Sequence, residues 1–396
     1  MKILFLNTFY APDIGGGAEV TLQEQVQQMR DKGHTVAVAC LSSRKRKTFE
    51  DVDGVKVWRV PCRNVFLPLR LYPNKWLRYL WQVFDYYNVR ARLDARKILK
   101  EFQPDVVSCH NLAGWSISVW SEIRRAGVPI VQVLHDQYLM CPRSAMYKNN
   151  ARCATPCITC RAFRAQHKRS SRQVSAVVGV SDFVLNKFLK NGYFSGSKRR
   201  LAIRNARKPG VLPAAQVETG EVRFGFIGSI IPPKGLEQLI RAFIRVADAH
   251  WRLFVAGRDD TPHAAFLKEE LVDERIIWLG HQKPADFFSS IDVTVVPSVW
   301  DEPLGMVAVE SIMAGRPAIV STRGGLPEIV TAGKNGLIFS PDIDGDLDRA
   351  LLSYAANRQW WKDRAESISD SVTTIKTVDT WAGEWHRLYL EVAKGG

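Results

Sequence analysis

The chain has 396 residues, 46% of them hydrophobic, with 55 Lys and Arg against 40 Asp and Glu for a formal charge of +15. Such a length exceeds one ordinary core and implies two domains or three, the composition excludes a disordered chain, and no apolar run approaches the roughly 20 residues of a membrane span. The charge implies attraction to a polyanion, whether nucleic acid, acidic headgroups or a phosphorylated small molecule.

The opening "MKILFLNTFYAPD" has an apolar run too short for a secretory signal and reads as a first buried strand, which places the protein in the cytoplasm. Short branched-apolar runs then alternate with amphipathic stretches: "ILFLN", a helix from Ala18 to Lys32, "TVAVAC", "VKVWRV", a long helical segment from Asn74 to Lys100, "DVVSC", "PIVQVL" and "AVVGV". This alternation predicts a parallel sheet built from βαβ units. "RNARKPGVLPAAQVETGE" lacks apolar periodicity and reads as a linker. A second set follows, with strands "VRFGFIG", "RLFVAG", "RIIWLG", "DVTVVPS" and "PAIVS" and helices beginning near Gly235, Ala264, Pro284, Leu304 and Leu326. The expected architecture is α/β: two Rossmann-like doubly wound domains, residues 1–204 and 205–375, facing each other across a cleft, with a helix in 376–396 packing back on the first.

Gly15, Gly16 and Gly17 follow the first strand and precede a helix, so they either make a tight turn or let a ligand approach the backbone and the helix N-terminus. The second domain repeats the arrangement in "FGFIGSIIPPKGLEQLIRAF", where Gly228 marks the turn and Lys234 adds a mobile cation suited to a diphosphate. In "DEPLGMVAVE", Glu302 and Glu310 stand eight residues apart across a helix start. Either they are solvated charges favouring the helix dipole, or they hold two ends of one ligand, since eight helical residues rise about 12 Å.

These motifs resemble the retaining glycosyltransferases of family 4, which have the GT-B fold. The resemblance covers nearly the whole chain and rests on "GGGAEVTLQEQVQQMRDKGHTVAV", "HDQYLMCPR", "VGVSDFV", "GSIIPPKGLEQLIRAF", "EPLGMVAVESIMAGRPAIVSTRGGLPEIV" and "GKNGLIF". It implies transfer of a sugar from a nucleoside-diphosphate sugar to a glycan, glycolipid or lipid-linked acceptor, with no cofactor required for catalysis and no nucleic acid as partner. It further implies that Glu302 binds the donor sugar, that the backbone of Leu304, Gly305, Met306 and Val307 holds sugar and phosphate, and that Glu310 binds the ribose. Lys234 would neutralise the departing diphosphate, with Gly228 and Ser229 in the same loop, Gly16 and Gly17 in the facing one, and His110 beside the reacting sugar. Ser229 departs from the family, which often has Arg there. Arg258 and Arg323 are alternatives by loop position. A sugar-nucleotide epimerase or phosphorylase on the same scaffold is the nearest rival. A nucleic-acid-binding protein is a remoter one, because it leaves Glu302 and Glu310 unexplained.

Three features stand outside that reading. Cys141, Cys153, Cys157 and Cys160, ending in a C-x3-C-x2-C spacing, are either buried core thiols or ligands of a structural zinc. "DVD" at Asp51 to Asp53 and "DID" at Asp342 to Asp344 read as a turn and a helix cap rather than metal motifs. The segment from Asn74 to Lys100 places Trp76, Leu77, Leu80, Trp81 and Phe84 at helical spacings among cations. This stripe is either a core face or, with the basic run Arg44 to Lys47, an interfacial helix drawn to an anionic membrane at the inner face of the plasma membrane.

Overall fold

The computed structural model describes residues 1–44, 46–67, 74–207, 220–371 and 377–395. Most of the expected linker, 208–219, and Lys45 of the basic run lie outside them. The chain divides into two compact units: Met1–Met146 with Cys153–Ala206 and Val378–Gly396, and Tyr147–Arg152 with Arg207–Thr377.

The first unit is built on β1 (Lys2–Leu6), β2 (Thr35–Ser42), β3 (Thr48–Val52), β4 (Val55–Pro61), β5 (Val106–Cys109) and β6 (Ile130–Leu134). A two-residue-stranded hairpin, β7 (Tyr147–Lys148) and β8 (Ala151–Arg152), groups with the second unit, after which β9 (Ala176–Gly179) and β10 (Arg199–Ala202) complete the first. The sheet order is β10-β9-β6-β5-β1-β2-β4-β3, parallel throughout except for β3. Its helices are α1 (Gly17–Asp31), α2 (Lys75–Tyr86), α3 (Val89–Phe102), α4 (Ser118–Arg125), α5 (Ile158–Ser170) and α6 (Asp182–Lys190). Strands such as Ile3 to Leu6 are apolar at every position and at most 2% exposed, as expected where helices cover both faces of a parallel sheet.

One expectation needs correction here, and one strand was not expected. The segment Asn74 to Lys100 is not one helix. Tyr87 is extended (φ −157°, ψ 92°), and the Asn88 side chain accepts the Ala91 N–H at 3.1 Å, capping a new helix. The "DVD" turn, in turn, closes a hairpin whose first strand, β3, the apolar pattern did not mark. Asp53 (φ 51°) and Gly54 (φ 77°) both take left-handed conformations there, and Asp51 Oδ1 accepts the Gly54 N–H.

The second unit holds β11 (Val222–Ile227), β12 (Trp251–Ala256), β13 (Ile276–Gly280), β14 (Val293–Val296), β15 (Ala318–Ser321) and β16 (Gly336–Phe339), with α7 (Leu236–Val246), α8 (Pro262–Glu270), α9 (Pro284–Ser290), α10 (Met306–Met313), α11 (Asp346–Ala356), α12 (Arg358–Lys362) and α13 (Ala365–Asp370). Its wholly parallel order, β13-β12-β11-β14-β15-β16, turns back on itself between β11 and β14, where a doubly wound sheet leaves a crevice. The segment expected to be helical at Leu326 is a single 3-10 turn, Leu326–Glu328.

The last helix, α14 (Val378–Lys394), belongs to the first unit. It packs on α1 and on β5 and β6 through Trp381, Trp385, Leu388, Tyr389 and Val392, all at most 6% exposed. Each such side chain contributes about 1.5–3 kcal/mol of burial, which ties the end of the chain to its first βα unit.

Candidate functional site

In the second unit the loops after β11 and β14 meet at the reversal of strand order. Gly235 (φ 73°) ends the turn Pro232–Lys234, and a Cβ there would lie 1.9 Å from the Pro297 carbonyl oxygen, so only glycine lets the two loops touch. Val299 N–H donates to Pro233 O at 3.0 Å across the same contact. The approach brings Lys234 Nζ to 2.5 Å from Glu302 Oε1 and 5.4 Å from the centre of the Trp300 ring. Glu302 is itself held: its carbonyl accepts the Gly325 N–H at 2.8 Å, and Ser298 Oγ lies 3.4 Å from Oε2. Gly324 is forced by the same packing, because a Cβ there would sit 2.0 Å from Glu302 O.

Gly305 (φ 97°) is the N-cap of α10, so Glu302 lies in a loop and Leu304 is buried beneath it. The first turn of α10 leaves the amides of Met306 and Val307 at an open helix end, which favours an anion. The premise of eight helical residues between Glu302 and Glu310 therefore fails: only Met306 to Glu310 are helical, a rise of about 6 Å. Glu310 Oε1 pairs with Arg207 Nε at 2.9 Å. Gly228 (φ 156°) carries the chain off β11, and Ser229 beside it is exposed. Of the two arginines considered in place of a cation at Ser229, Arg258 is exposed and paired with Asp260, whereas Arg323 is 7% exposed and bonds Asp342 while its Nε has no partner.

In the first unit the order reverses between β1 and β5, and the loops that follow are stitched together. Asn111 N–H donates to Asn7 Oδ1 at 2.8 Å, and Trp115 Nε1 donates to Asn7 O at 2.8 Å. Gly16 donates its N–H to Glu19 Oε2 at 2.8 Å. A Cβ on Gly16 would be no closer than 3.9 Å to any atom, and one on Gly17 would meet nothing within 4 Å, so the protein's own packing leaves open space there. Burial raises the Glu19 carboxyl above its usual range, and burial together with the Glu19 charge pushes neighbouring Asp136 up to about 6.

His110 is 2% exposed, and both its ring nitrogens are engaged: Nε2 lies 3.1 Å from Ser108 Oγ and Nδ1 lies 2.8 Å from His135 Nε2. His135, at the end of β6, is half-buried. Burial holds His135 down at about 4 and His110 well below 6.5, so both rings are neutral. Ser108 Oγ in turn accepts from Tyr389 OH at 2.8 Å, and Tyr389 accepts from Gln25 Nε2 at 2.8 Å. Apolar patterning could not reveal this chain, since Ser108 and Gln25 occupy ordinary core-facing positions and Tyr389 lies far away in sequence.

Cys141 and Cys160 are buried, Cys153 and Cys157 half-buried, and none of the seven cysteines forms a disulfide. Cys157 is the N-cap of α5, and its Sγ lies 3.6 Å from Cys160 Sγ. Cys160 also bonds Cys141, whose sulfur accepts the Arg143 N–H at 3.4 Å; these donors lower the Cys141 thiol to about 6. Among the described residues, no group of three or more His, Cys, Asp or Glu side chains is arranged to hold a metal ion.

Residues 16–205 match the family described as glycosyl transferase 4-like domain, and residues 221–357 match glycosyl transferases group 1. A 42.6 kDa protein of the cps region of Klebsiella pneumoniae is 29% identical over 88% of this chain and 92% of its own. The glycosyltransferase MJ1607 of Methanocaldococcus jannaschii is 26% identical over 89% and 90%. In fold, the chain is similar to sucrose-phosphate synthase of Thermosynechococcus elongatus (TM-score 0.79, 18% identity, 100% of both chains). It is also similar to HepE of Anabaena, solved with UDP and glucose (TM-score 0.71, 18% identity, 99% of this chain and 100% of that one).

Proposed function

This chain belongs to the family-4-like glycosyltransferases of GT-B fold, and within that family we propose that it transfers a sugar from a nucleoside-diphosphate donor, without a metal and with retention of anomeric configuration. The observation that carries this reading is the Lys234–Glu302 pair at the reversal of the second sheet. With a donor bound, Lys234 would turn from Glu302 to the diphosphate, and the open amides of α10 would share the phosphate charge. Glu302, released, would accept hydroxyl hydrogen bonds of the sugar, and Glu310 those of the ribose. Fixed dipoles and one lysine would then balance the charge of the leaving group as its bond to the anomeric carbon breaks. The leaving phosphate oxygen would take the acceptor's hydroxyl proton on the same face, which preserves configuration.

His110 cannot reach a ligand with a ring nitrogen while both are occupied inside the fold. We therefore assign the contact at that strand end to His135, with His110 as a positioning residue. Among the described residues no helix is long and apolar enough to cross a membrane, and the proposed site of action is the surface of an anionic membrane, reached through α2. The test is product NMR after turnover in a chelator. Retained configuration with undiminished rate supports the reading. An inverted product, a strict need for magnesium or manganese, or release of an epimerised sugar nucleotide overturns it.

A further inference from the structure

Between Met146 and Cys153 the chain makes a short arm that belongs to the second unit, although the residues on either side of it belong to the first. The arm is a minimal hairpin in which Tyr147 pairs with Arg152 and Lys148 with Ala151. Asn149 (φ 53°) and Asn150 (φ 55°) form its two-residue turn, both left-handed as a type I′ turn requires. The Cys153 N–H closes the base by donating to Met146 O at 2.7 Å. Lys148 to Arg152 are all exposed, so the arm buries little apolar surface of its own, and a two-stranded hairpin without such burial is marginal in water.

The arm meets the rest of the second unit beside both loops of the Lys234–Glu302 pair. Arg152 Nη1 lies 3.5 Å from Oδ1 of Asp301, the residue before Glu302, whose side chain is 5% exposed. Tyr147 is half-buried, and burial together with the charge of Glu237 raises its phenol. Glu237 is in the first turn of α7, three residues after Lys234. The loop of Asp301 and Glu302 is tied at a further point, where Gly325 donates its N–H to Glu302 O at 2.8 Å. Arg323, two residues before Gly325, bonds Asp342 and, helped by Arg152, holds that carboxyl below its usual range. Arg152 thus acts on two carboxylates, Asp301 after β14 and Asp342 after β16.

We propose that Arg152 is a positioning residue of sugar transfer: by holding Asp301 it fixes the backbone from which Glu302 reaches the donor sugar. The inference rests on the glycosyl-transfer reading above and adds to it a residue of the arm. In the free protein Lys234 restrains the Glu302 side chain. Once Lys234 turns to the diphosphate that restraint is gone, and the placing of Glu302 depends on the main-chain bond from Gly325 and on the Arg152–Asp301 pair. A displacement of about 1 Å at such a group can cost up to about a hundredfold in rate. An ion pair with one exposed partner adds little to global stability, so Arg152 acts through geometry.

The test compares Arg152→Ala and Arg152→Lys with wild type in the full chain. UDP-glucose, GDP-mannose and ADP-glucose, each beside its nucleoside diphosphate, are titrated by calorimetry, and hydrolysis of the donor that binds most tightly is followed without acceptor. Arg152→Ala should bind the nucleoside diphosphate within about twofold of wild type, bind the nucleotide sugar about tenfold more weakly and lower kcat of hydrolysis about tenfold. Its melting temperature should not change, and Arg152→Lys, which keeps the charge, should recover part of both losses. Equal weakening of the two ligands, no change in any readout, or a lowered melting temperature with losses that lysine does not recover would each overturn the proposal. Failure of wild-type protein to bind any of the nucleoside diphosphates would instead overturn the glycosyl-transfer reading.

Discussion

His110 Nδ1 and His135 Nε2 stand 2.8 Å apart, and the proton between them is assigned by a chain that starts on α1 and passes through the last helix. Gln25 donates to the Tyr389 hydroxyl, which donates to Ser108 Oγ. The Ser108 proton is then free to meet His110 Nε2, which leaves the His110 proton on Nδ1 and directs it at His135 Nε2. His135 must therefore carry its own proton on Nδ1, so it offers a donor rather than a lone pair.

Nitrogen NMR of the two rings should show both as the Nδ1–H tautomer, still neutral at pH 6, because burial lowers both from 6.5 and His135 titrates only near 4. Tyr389→Phe should return His110 to a mixture of tautomers, lower turnover several-fold and cost about 1 kcal/mol of stability. An unchanged tautomer with lowered stability would reduce Tyr389 to packing. His135→Ala should lose more turnover than His110→Asn, and the reverse order would return the ligand contact to His110.

Lys234 and Glu302 satisfy each other in the free protein, with side chains 26% and 10% exposed, so removing either leaves a partly desolvated charge behind. Lys234→Met should weaken binding of a nucleoside diphosphate by about 10–100-fold, roughly 1.4–2.8 kcal/mol, and make binding less sensitive to salt. Glu302→Gln should instead lower kcat with little effect on nucleoside diphosphate affinity, since it would bind only the sugar. Calorimetry beside steady-state kinetics separates the two, and an identical profile for both variants would contradict the division of labour.

Glu310 enters the reading with Arg207 already on it, at 2.9 Å. Glu310→Gln should weaken a nucleoside diphosphate about tenfold and leave kcat near its wild-type value, because a ribose contact is the same in ground state and transition state. Arg207→Ala frees the carboxylate without touching the donor, so nucleotide affinity should hold or improve. A matching loss in Arg207→Ala would make the ion pair, not the carboxylate alone, the binding element.

The two sheets were legible from apolar alternation because buried parallel strands leave unbroken runs such as Leu4 to Leu6, and the glycine loops were legible from their place at strand ends. The break at Tyr87 was not, since Asn88 caps α3 through a hydrogen bond that resembles any other asparagine in sequence. Strand β3 escaped because it alternates at a sheet edge, with Thr48, Glu50 and Val52 half-buried between exposed Phe49 and Asp51. In the candidate site, Lys234 and Glu302 could be named one by one, but their pairing depends on Gly235 lying against Pro297, which no local pattern encodes. The histidine chain and the inward-turned Asp85 depend on contacts over 281 and 53 residues respectively and are properties of the packed unit.

No three of the four clustered cysteines are arranged to hold a metal ion, so zinc is a proposal that rests on their spacing in sequence and on the Cys157–Cys160 pair, and it has a decisive measurement. The 3.6 Å between Cys157 and Cys160 is close to the roughly 3.8 Å edge of a tetrahedral thiolate site with Zn–S near 2.3 Å. Cys141 is already drawn to Cys160, and its sulfur accepts a backbone amide. Elemental analysis of purified protein should find near-stoichiometric zinc, and Cys160→Ser should release it and lower the melting temperature. Metal-free protein in which Cys160→Ser melts unchanged would make these thiols ordinary packing groups.

The outer face of α2 decides how the protein meets its surroundings. Trp76, Tyr79, Leu80, Val83 and Phe84 are each at least 43% exposed on a helix whose only acid, Asp85, is buried, and Lys75 and Arg78 flank them. Exposed aromatic area of this size beside cations favours a headgroup boundary, where rings insert and lysines meet anionic lipid. Each Lys or Arg near such a surface contributes about 1 kcal/mol, an attraction that salt screens. Vesicles of mixed neutral and anionic phospholipid should therefore sediment the protein at low salt and release part of it at moderate salt. Trp76→Ala with Phe84→Ala should weaken binding at both salts, because it removes the apolar contribution. Neutralising Arg44 to Lys47 should act mainly at low salt, where the long-range charge counts. Sedimentation with purely neutral vesicles as strong as with anionic ones would leave insertion of the rings as the whole effect, and no sedimentation at either salt would assign this face to a protein partner.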